Sequence, residues 1–316
     1  MALTYDTLNS FMKNFPDIIR DNVVKNVPLV KWALQHEMGQ RDGNKIEVGI
    51  RFATPGITAF NGTTDTFTIS QTETHTKAVY QWGFYYHTEA IYWRDWQAAK
   101  NNKNSIANIA VERGEAMKDG VMTGLEAELF AVYDGTTHTF NGLPDIVSTS
   151  DPTNQASGLG GIAVADAPWW KANSVAYDSS AGDLRHFMSS MVRQLSVAPF
   201  GKPDLIITTG DIYDKYYDEI ASKQGFLGSK IPDYGFDSVI PFQGIPLTWS
   251  EHCPSGTMYF LNSKFMHLKI HPDDFIKISP WEKKSTTDPT LVSTVTLSAQ
   301  MIVSARKALG IITSIS

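Results

Sequence analysis

The sequence predicts an α+β protein, because one long helical pattern stands between two long strand patterns. Apolar residues recur every three or four positions between about residues 97 and 133, which indicates an amphipathic helix. Apolar and polar residues alternate in residues 45–92 and again in 291–304, which is typical of strands. A region of mixed helical and strand patterns lies between the helix and the last strand.

The composition is that of a folded chain. Its 316 residues can bury a sizeable core without disulfides or a metal. The aromatic content (16 Phe, 12 Tyr and 8 Trp) and the net charge of −6 exclude intrinsic disorder. Charged residues make up only 19%, below the usual quarter, which favours a surface largely covered by partners. The acidic balance argues against a protein that binds nucleic acid through its phosphates, which requires concentrated Lys and Arg.

Membrane, secreted and disulfide-rich classes are also excluded. No stretch approaches the ~18 apolar residues that a membrane helix needs, and the N-terminus lacks the basic and apolar segments of a signal peptide. The single cysteine, Cys253, rules out a disulfide framework and a Cys-based zinc site. We therefore expect a protein of a reducing compartment, without membrane association.

The first ninety residues are predicted to be extended. Residues 1–45 have the apolar spacing of short helices, but Pro16 and Pro28 interrupt it, so we expect an arm that lies along another surface. The following residues predict a long two-stranded excursion with a turn-rich, weakly apolar tip at 55–65 and a second strand at 79–92. Because an isolated hairpin is barely stable in water, it needs something to lie on.

The long helix contains Gly114, Gly120 and Gly124, each of which costs about 1 kcal/mol relative to Ala. Two interpretations are open: another backbone approaches closely there, or the glycines are tolerated without a role. Downstream, the sequence predicts a helix at 184–195 with Asp183 as its cap, a buried strand at 204–209 and a helix at 212–221.

No catalytic or metal-binding constellation is present. His267 and His271 have metal-ligand spacing, but their segment predicts a strand, in which four residues span about 13 Å. Cys253 beside His252 is expected to be an ordinary thiol, because adjacent side chains rarely face each other. The glycines at 158–161 lack the lysine and hydroxyl of a phosphate loop, and we expect a loop held by Trp169 and Trp170. Pairs such as Glu126 and Glu128 carry no specific signal. We expect no enzymatic activity and no cofactor.

The order of these segments resembles the major capsid protein of tailed bacteriophages, of the Hong Kong ninety-seven type. The motifs that support the resemblance are Phe140-Asn141-Gly142-Leu143-Pro144, Gly160-Gly161-Ile162, Trp169-Trp170 and the closing passage 298–312. The resemblance extends over nearly the whole chain and implies a subunit that builds an icosahedral shell around double-stranded DNA. It would do so through pentameric and hexameric capsomers.

The resemblance also implies a division of the chain. Its parts are an N-terminal arm (1–45), an extended loop (46–90), the spine helix with the first part of the peripheral domain (91–140), the axial domain (141–263), the second part of the peripheral domain (264–304) and a final strand that returns to the axial domain (305–316). Two places are expected to contact other subunits. They are the tip of the extended loop (Thr58, Ala59, Phe60, Asn61 and Gly62) and a peripheral-domain loop (Glu282, Lys283, Lys284 and Ser285).

The expected partners are further copies of the chain, a portal, possible decoration proteins, and packaged DNA bound without sequence specificity. Only about 45 residues precede the extended loop, so we expect scaffolding to be a separate protein. We predict no isopeptide cross-link, because residues 281–288 contain no asparagine to react with Lys45 or Lys77 of the extended loop. The expected location is the virion, after assembly in the host cytoplasm.

Three alternatives remain open. A compartment of the encapsulin type, which encloses cargo enzymes, would have the same fold. A hydrolase with unrecognised carboxylates would be a small species of about 35–70 kDa. A tail-tube or fibre protein would form tubes in place of spheres.

Overall fold

The computed structural model describes residues 27–41, 43–54, 73–92, 94, 103–197, 199–223, 240–285 and 290–315. The helices in these ranges are α1 (Pro28–Gln35), α2 (Lys103–Phe130), α3 (Leu143–Ile146), α4 (Leu184–Leu195) and α5 (Gly210–Lys223). The strands are β1 (Met38–Gly39), β2 (Lys45–Arg51), β3 (His75–Gln81), β4 (Gly83–Ile91), β5 (Asn173–Ala176), β6 (Leu205–Thr208), β7 (Ile240–Phe242), β8 (Ile245–Trp249), β9 (Met258–Leu261), β10 (Met266–Ile278), β11 (Glu282–Lys283), β12 (Leu291–Val303) and β13 (Gly310–Thr313).

Helix α1 is the part of the predicted arm that the structure describes. It begins at Pro28, whose fixed φ suits the first position of a helix. Its apolar residues Leu29, Val30 and Trp32 are buried, and the helix packs on α2. This part of the arm therefore lies on its own chain.

The predicted strand at 79–92 was wrong as a single strand. It is divided at Trp82 into β3, which pairs with β2, and β4, which pairs with β12. Strand β4 begins at Gly83, where a Cβ would lie only 3.0 Å from the carbonyl oxygen of Ala299, so a residue without a side chain suits this position. The two-stranded excursion therefore ends at Gln81, and residues 83–91 belong to a larger sheet.

The base of the excursion rests on its own chain. Ile46, Ile50 and Tyr80 are buried, and Phe52 stacks on Trp169 with 5.1 Å between ring centroids. The opposite side chains of the ladder are mostly exposed and polar, apart from the half-buried Val79. The tip, including residues 58–62, lies outside the described residues.

A five-stranded sheet has β12 at its centre. The antiparallel strands β10 and β11 pair along one edge of β12 and β4 along the other, while β1 adds to β10 in parallel. In the first half of β12 alternate residues are buried, as the sequence predicted, whereas its second half is buried on both faces. Strand β10 contains an irregularity between Ile270 and Phe275, where Pro272 is accommodated without a ladder hydrogen bond.

Helix α2 crosses this sheet. Met117, Leu125 and Leu129 are buried at the predicted spacing, but the helix ends at Phe130, and the predicted core position Val132 is 48% exposed. The chain turns back sharply here because Gly142 packs against the end of the helix. A Cβ at Gly142 would overlap the carbonyl oxygen of Ala131.

A six-stranded mixed sheet of order β5-β13-β9-β6-β8-β7 forms the second body. Strand β6 is buried along its whole length, as predicted. Ile206 packs among the residues of α4 and α5, while Leu205 and Ile207 face the core shared with α2.

Helix α4 matches its predicted bounds, but its cap does not. The Asp183 side chain makes no capping hydrogen bond. The backbone N–H groups of Leu184 and Arg185 instead donate to the carboxylate of Glu219 on α5, at 3.1 and 3.4 Å. A residue distant in sequence thus satisfies the first donors of the helix, as a cap would.

Candidate assembly site

The predicted peripheral-domain loop is exposed but firmly anchored. Glu282 and Lys283 form β11, which pairs with Val292 and Leu291 of β12, and Lys284 donates its N–H to the carbonyl of Thr290 at 2.9 Å. Residues 282–285 are all exposed, whereas the preceding Trp281 is 2% exposed. The sheet thus presents two lysines and a glutamate to solvent. Contact with another subunit remains a prediction for this loop.

Strand β4 exposes aromatic side chains. Phe84 is 67% and Tyr86 is 78% exposed, and both lie on one face of the strand, opposite Ser298 and Thr296 of β12. Its nine residues pair with β12 in continuous register, and among the described strands β12 is its only partner. A long, regular edge strand with exposed aromatics is a surface that natural proteins usually cover. The sequence predicted the strand but gave no indication of this exposure.

The inner face of β4 is fixed by a polar network. The hydroxyl of Tyr85 donates to Glu128 Oε2 at 2.5 Å and accepts the N–H of Thr139 at 2.7 Å. His138 Nδ1 lies 3.0 Å from the same carboxylate oxygen. Burial, reinforced by the neighbouring Glu128, raises the pKa of Tyr85 to about 12, so this hydroxyl remains a donor. The network joins β4 to α2 and to the turn beyond it.

Gly120 and Gly124 of α2 border a cleft between the helix and β4. The cleft has a volume of about 210 Å³ and is lined by residues that include His87, Val295 and Leu297. A Cβ at Gly120 would approach no closer than 3.8 Å to the His87 ring, and one at Gly124 would meet nothing within 4 Å. The interpretation that another backbone approaches closely is therefore wrong for these two positions within the described chain.

Glu126 forms a junction between three parts of the chain. Its side chain on α2 is buried and accepts the N–H of Val30 at 2.8 Å, the N–H of Leu29 at 3.4 Å and the hydroxyl of Ser250 at 2.8 Å. Burial raises the pKa of Glu126 to about 7, and the three hydrogen bonds act in the opposite direction. We call these four residues the Glu126 junction. The sequence analysis considered Glu126 only as a pair with Glu128, which carries no specific signal, and the sequence does not indicate that Glu126 is buried.

Arg306 forms a second buried junction. Its fully buried guanidinium donates five hydrogen bonds to backbone carbonyls, those of Asp145, Ile146, Ser148, Ser150 and Trp170. Burial lowers its pKa to about 10, which still leaves it charged at neutral pH. The side chain holds the loops after α2 against the start of the final strand.

The Gly158–Gly161 segment is a structural loop, as expected. Residues Leu159–Gly161 form one 3-10 turn, and Trp170 Nε1 donates to the Leu159 carbonyl at 2.9 Å. Gly160 has φ 66°, and a Cβ there would lie 2.8 Å from Ala78 of the excursion. This glycine therefore permits the base of the excursion to lie on the loop.

The two histidines with metal-ligand spacing lie on one strand, and the cysteine lies on the turn after β8. His267 and His271 are both on β10, which confirms the predicted strand, and His271 Nε2 lies 3.2 Å from the Arg41 carbonyl. Cys253 is a buried free thiol whose pKa burial raises to about 12, the opposite of an activated nucleophile. Within the described ranges, no three His, Cys, Asp or Glu side chains are grouped to hold a metal ion. No described helix is both long enough and apolar enough to span a bilayer.

Comparison with known proteins gives structural matches without sequence matches. No family model and no curated protein matches the sequence. The capsid asymmetric unit of cyanophage A-1(L) superposes with a TM-score of 0.67 at 17% identity, covering 92% of this chain and 93% of that one. The SrpI encapsulin of Synechococcus elongatus gives a TM-score of 0.59 at 13% identity, covering 94% and 93%. A satellite phage P4 procapsid, which includes a size determination protein, gives 0.53 at 12% identity, covering 99% and 91%.

These likenesses establish the fold. The chain has the α+β capsid fold of the Hong Kong ninety-seven type, which confirms the resemblance found in the sequence. The same fold occurs in phage capsids and in an encapsulin, so the fold by itself does not distinguish between these functions.

Proposed function

We propose that this chain is a major capsid protein. It assembles through pentameric and hexameric capsomers into an icosahedral shell that encloses double-stranded DNA. The observation that supports this most is the structural likeness to the cyanophage capsid subunit, which extends over 92% of this chain and 93% of that one. We propose no enzymatic role, and Cys253, with its raised pKa, offers no activated nucleophile.

The proposed contacts between subunits involve two separate loops. The tip of the extended loop contributes Thr58, Ala59, Phe60, Asn61 and Gly62, and the peripheral-domain loop contributes Glu282, Lys283, Lys284 and Ser285. The exposed loop and the exposed aromatic strand β4 lie in one sheet, since Val292 pairs with both Glu282 and Ala90. Several separate contacts suit a closed shell, because each can be weak while their sum is strong.

The arrangement of the two sheets supports the proposed division of the chain. The five-stranded sheet and α2 form the peripheral domain, and the six-stranded sheet with α4 and α5 forms the axial domain. The final strand β13 lies between β5 and β9, so the chain ends in the axial domain. The Arg306 junction binds the start of the final segment to the loop after α3 and to Trp170.

The proposed partners are other copies of the chain, a separate scaffolding protein, a portal and decoration proteins. The satellite phage P4 procapsid includes a size determination protein, which supports an external assembly partner. Packaged DNA would be enclosed without sequence-specific binding, in keeping with a net charge of −6. The proposed location is the virion, after assembly in the host cytoplasm.

A second candidate is a protein compartment of the encapsulin type. The likeness to the SrpI encapsulin, with a TM-score of 0.59 over 94% of this chain, supports it. Both functions require a shell of the same fold. They differ in what the shell contains, which is DNA in a capsid and a protein cargo in a compartment.

Electron microscopy of the purified protein tests the shell. We expect closed spherical particles; only small species of about 35–70 kDa in every condition would exclude both candidates. Particles from cells that encode the chain are then treated with nuclease and opened. Protected double-stranded DNA is the expected content of a capsid, while a protein cargo without DNA would identify a compartment.

A further inference from the structure

The Glu126 junction has an unusual composition. One buried carboxylate on α2 accepts two backbone N–H groups from the first turn of α1 and a hydroxyl from Ser250, which follows β8. It therefore joins the predicted arm, the spine helix and the axial domain through one ionisable group. Leu29 is 97 and Ser250 is 124 residues away in sequence, so the junction exists only in the folded subunit.

Among the described residues, no cation is a cause of the pKa shift of Glu126. Its pKa is set by burial and by the three hydrogen bonds, all from uncharged donors. The positions three and four residues away on α2 are Met122, Thr123, Leu129 and Phe130, none of which ionises.

The elements packed against Glu126 carry few ionisable groups. Cys253 faces the carboxylate from the turn after β8, and its pKa of about 12 keeps it neutral. The other ionisable side chains there are Lys31 on α1 and Glu251 and His252 on the turn, and none is a cause of the shift at Glu126.

We propose that protonation of Glu126 controls how firmly helix α1 and the turn after β8 are held on the spine helix. In the closed state the carboxyl group is buried among its three donors. Opening the junction returns it to water, where the charged form is favoured. The proposal concerns the single subunit and goes beyond the proposed shell function, because an arm that loosens from its own spine becomes available to other surfaces.

The direction of the pH effect follows from the raised pKa. A carboxyl group with a pKa of about 7 when closed and 4.5 when open binds its proton more tightly in the closed state. The closed state is therefore favoured at low pH, becomes less favoured as the pH rises from about 4.5 to about 7, and changes no further above that. The buried Leu29, Val30 and Trp32 keep α1 docked on average, so the effect appears as more frequent opening.

Hydrogen exchange of the full-length chain between pH 5 and pH 8 tests the proposal. Rates are divided by those of the unfolded chain at each pH, and peptides from β6 serve as the internal reference. In the wild type, we expect protection of the α1 amides to fall about tenfold per pH unit up to about pH 7 and then to level off. In Glu126→Gln the profile should be flat, because the side chain retains an acceptor but cannot ionise.

Glu128→Gln is the matched control. Glu128 lies two residues away on the same helix, and its carboxylate bonds Tyr85 and His138 rather than α1. It should keep the wild-type profile. A flat wild-type profile, a wild-type slope in Glu126→Gln or a flattened profile in Glu128→Gln would each overturn the proposal.

Ser250→Ala provides an independent test if Glu126→Gln does not fold. The Ser250 hydroxyl bonds Glu126 Oε1 at 2.8 Å and lowers the pKa of Glu126. Without this hydrogen bond the pKa of Glu126 should rise. The protection of the α1 amides should then stop falling at a higher pH than in the wild type. An unchanged profile would contradict the assigned role.

Discussion

Arg306 Nε donates a 2.9 Å hydrogen bond to the carbonyl of Ile146, a residue 160 positions earlier in the chain. Four further bonds from the same guanidinium reach the carbonyls of Asp145, Ser148, Ser150 and Trp170, so one side chain binds the loop after α3 and the Trp170 segment. Arg suits this position because its planar group presents five donors in a fixed geometry.

Arg306→Lys should destabilise the subunit by about 3 kcal/mol, although it conserves the charge. An ammonium group supplies three donors, so at least two of the five carbonyls would lose their partner, at about 1–3 kcal/mol for each one that is buried. Urea unfolding of the subunit measures the change. Lys307→Ala, at the exposed next residue, should stay within about 0.5 kcal/mol of the wild type. Equal effects of the two variants would contradict the role of the junction.

The double variant Phe84→Ser, Tyr86→Ser should impair assembly while the fold remains intact. Both side chains are mostly exposed in the subunit, so their loss removes little buried area. If another copy covers them, the concentration needed for assembly should rise at least about tenfold. Sedimentation across a concentration series measures this, and circular dichroism checks the fold. Thr88→Ser on the same exposed face is the control; assembly of the double variant at wild-type concentrations would exclude β4 as a contact.

In the peripheral-domain loop, the residues proposed to contact another subunit differ from the residue that anchors the loop to its own chain. Lys283→Glu with Lys284→Glu should prevent or weaken assembly with little change in subunit stability, because both side chains are exposed. Trp281→Ala should instead destabilise the subunit by about 3–5 kcal/mol, since that side chain is buried. Electron microscopy and thermal unfolding distinguish the two outcomes. Normal shells from the charge-reversed variant would remove this loop from the proposed interface.

Deletion of residues 58–64 should leave a folded subunit that does not assemble. The excursion is fixed to its own chain at its base, by Phe52 on Trp169 and by the buried Tyr80, so shortening the tip leaves that packing unchanged. Circular dichroism tests the fold and sedimentation the assembly. Shells of normal size from the deletion variant would show that the tip is not required.

Patterns local in sequence predicted much of the fold. Helix α4 and strand β6 matched because their apolar residues repeat at the period of their own element. The break at Trp82 could not be predicted in this way, since it depends on which distant strand each half pairs with. The cap of α4 was missed for the same reason, as Glu219 belongs to another helix.

The buried junctions were beyond sequence reasoning for a different physical reason. Glu and Arg are rarely fully buried, so the default expectation for Glu126 and Arg306 is solvent exposure. Their burial is possible because backbone groups from distant segments converge on them. The closest signal in the sequence was the position of Arg306 within the closing passage that resembles the capsid family.

The assembled particles should contain no covalent links between subunits. The cross-link that the resemblance to the capsid family implies joins a lysine to an asparagine, and residues 281–288 contain no asparagine. Lys77, a candidate donor in the extended loop, is paired with Glu47 at 2.9 Å on the exposed face of the β2–β3 ladder. Particles heated in SDS should therefore run as a single band of about 35 kDa, the mass of one chain. A ladder of dimers and higher multiples that persists under reducing conditions would contradict the prediction, and mass spectrometry of those bands would identify the lysine that reacted.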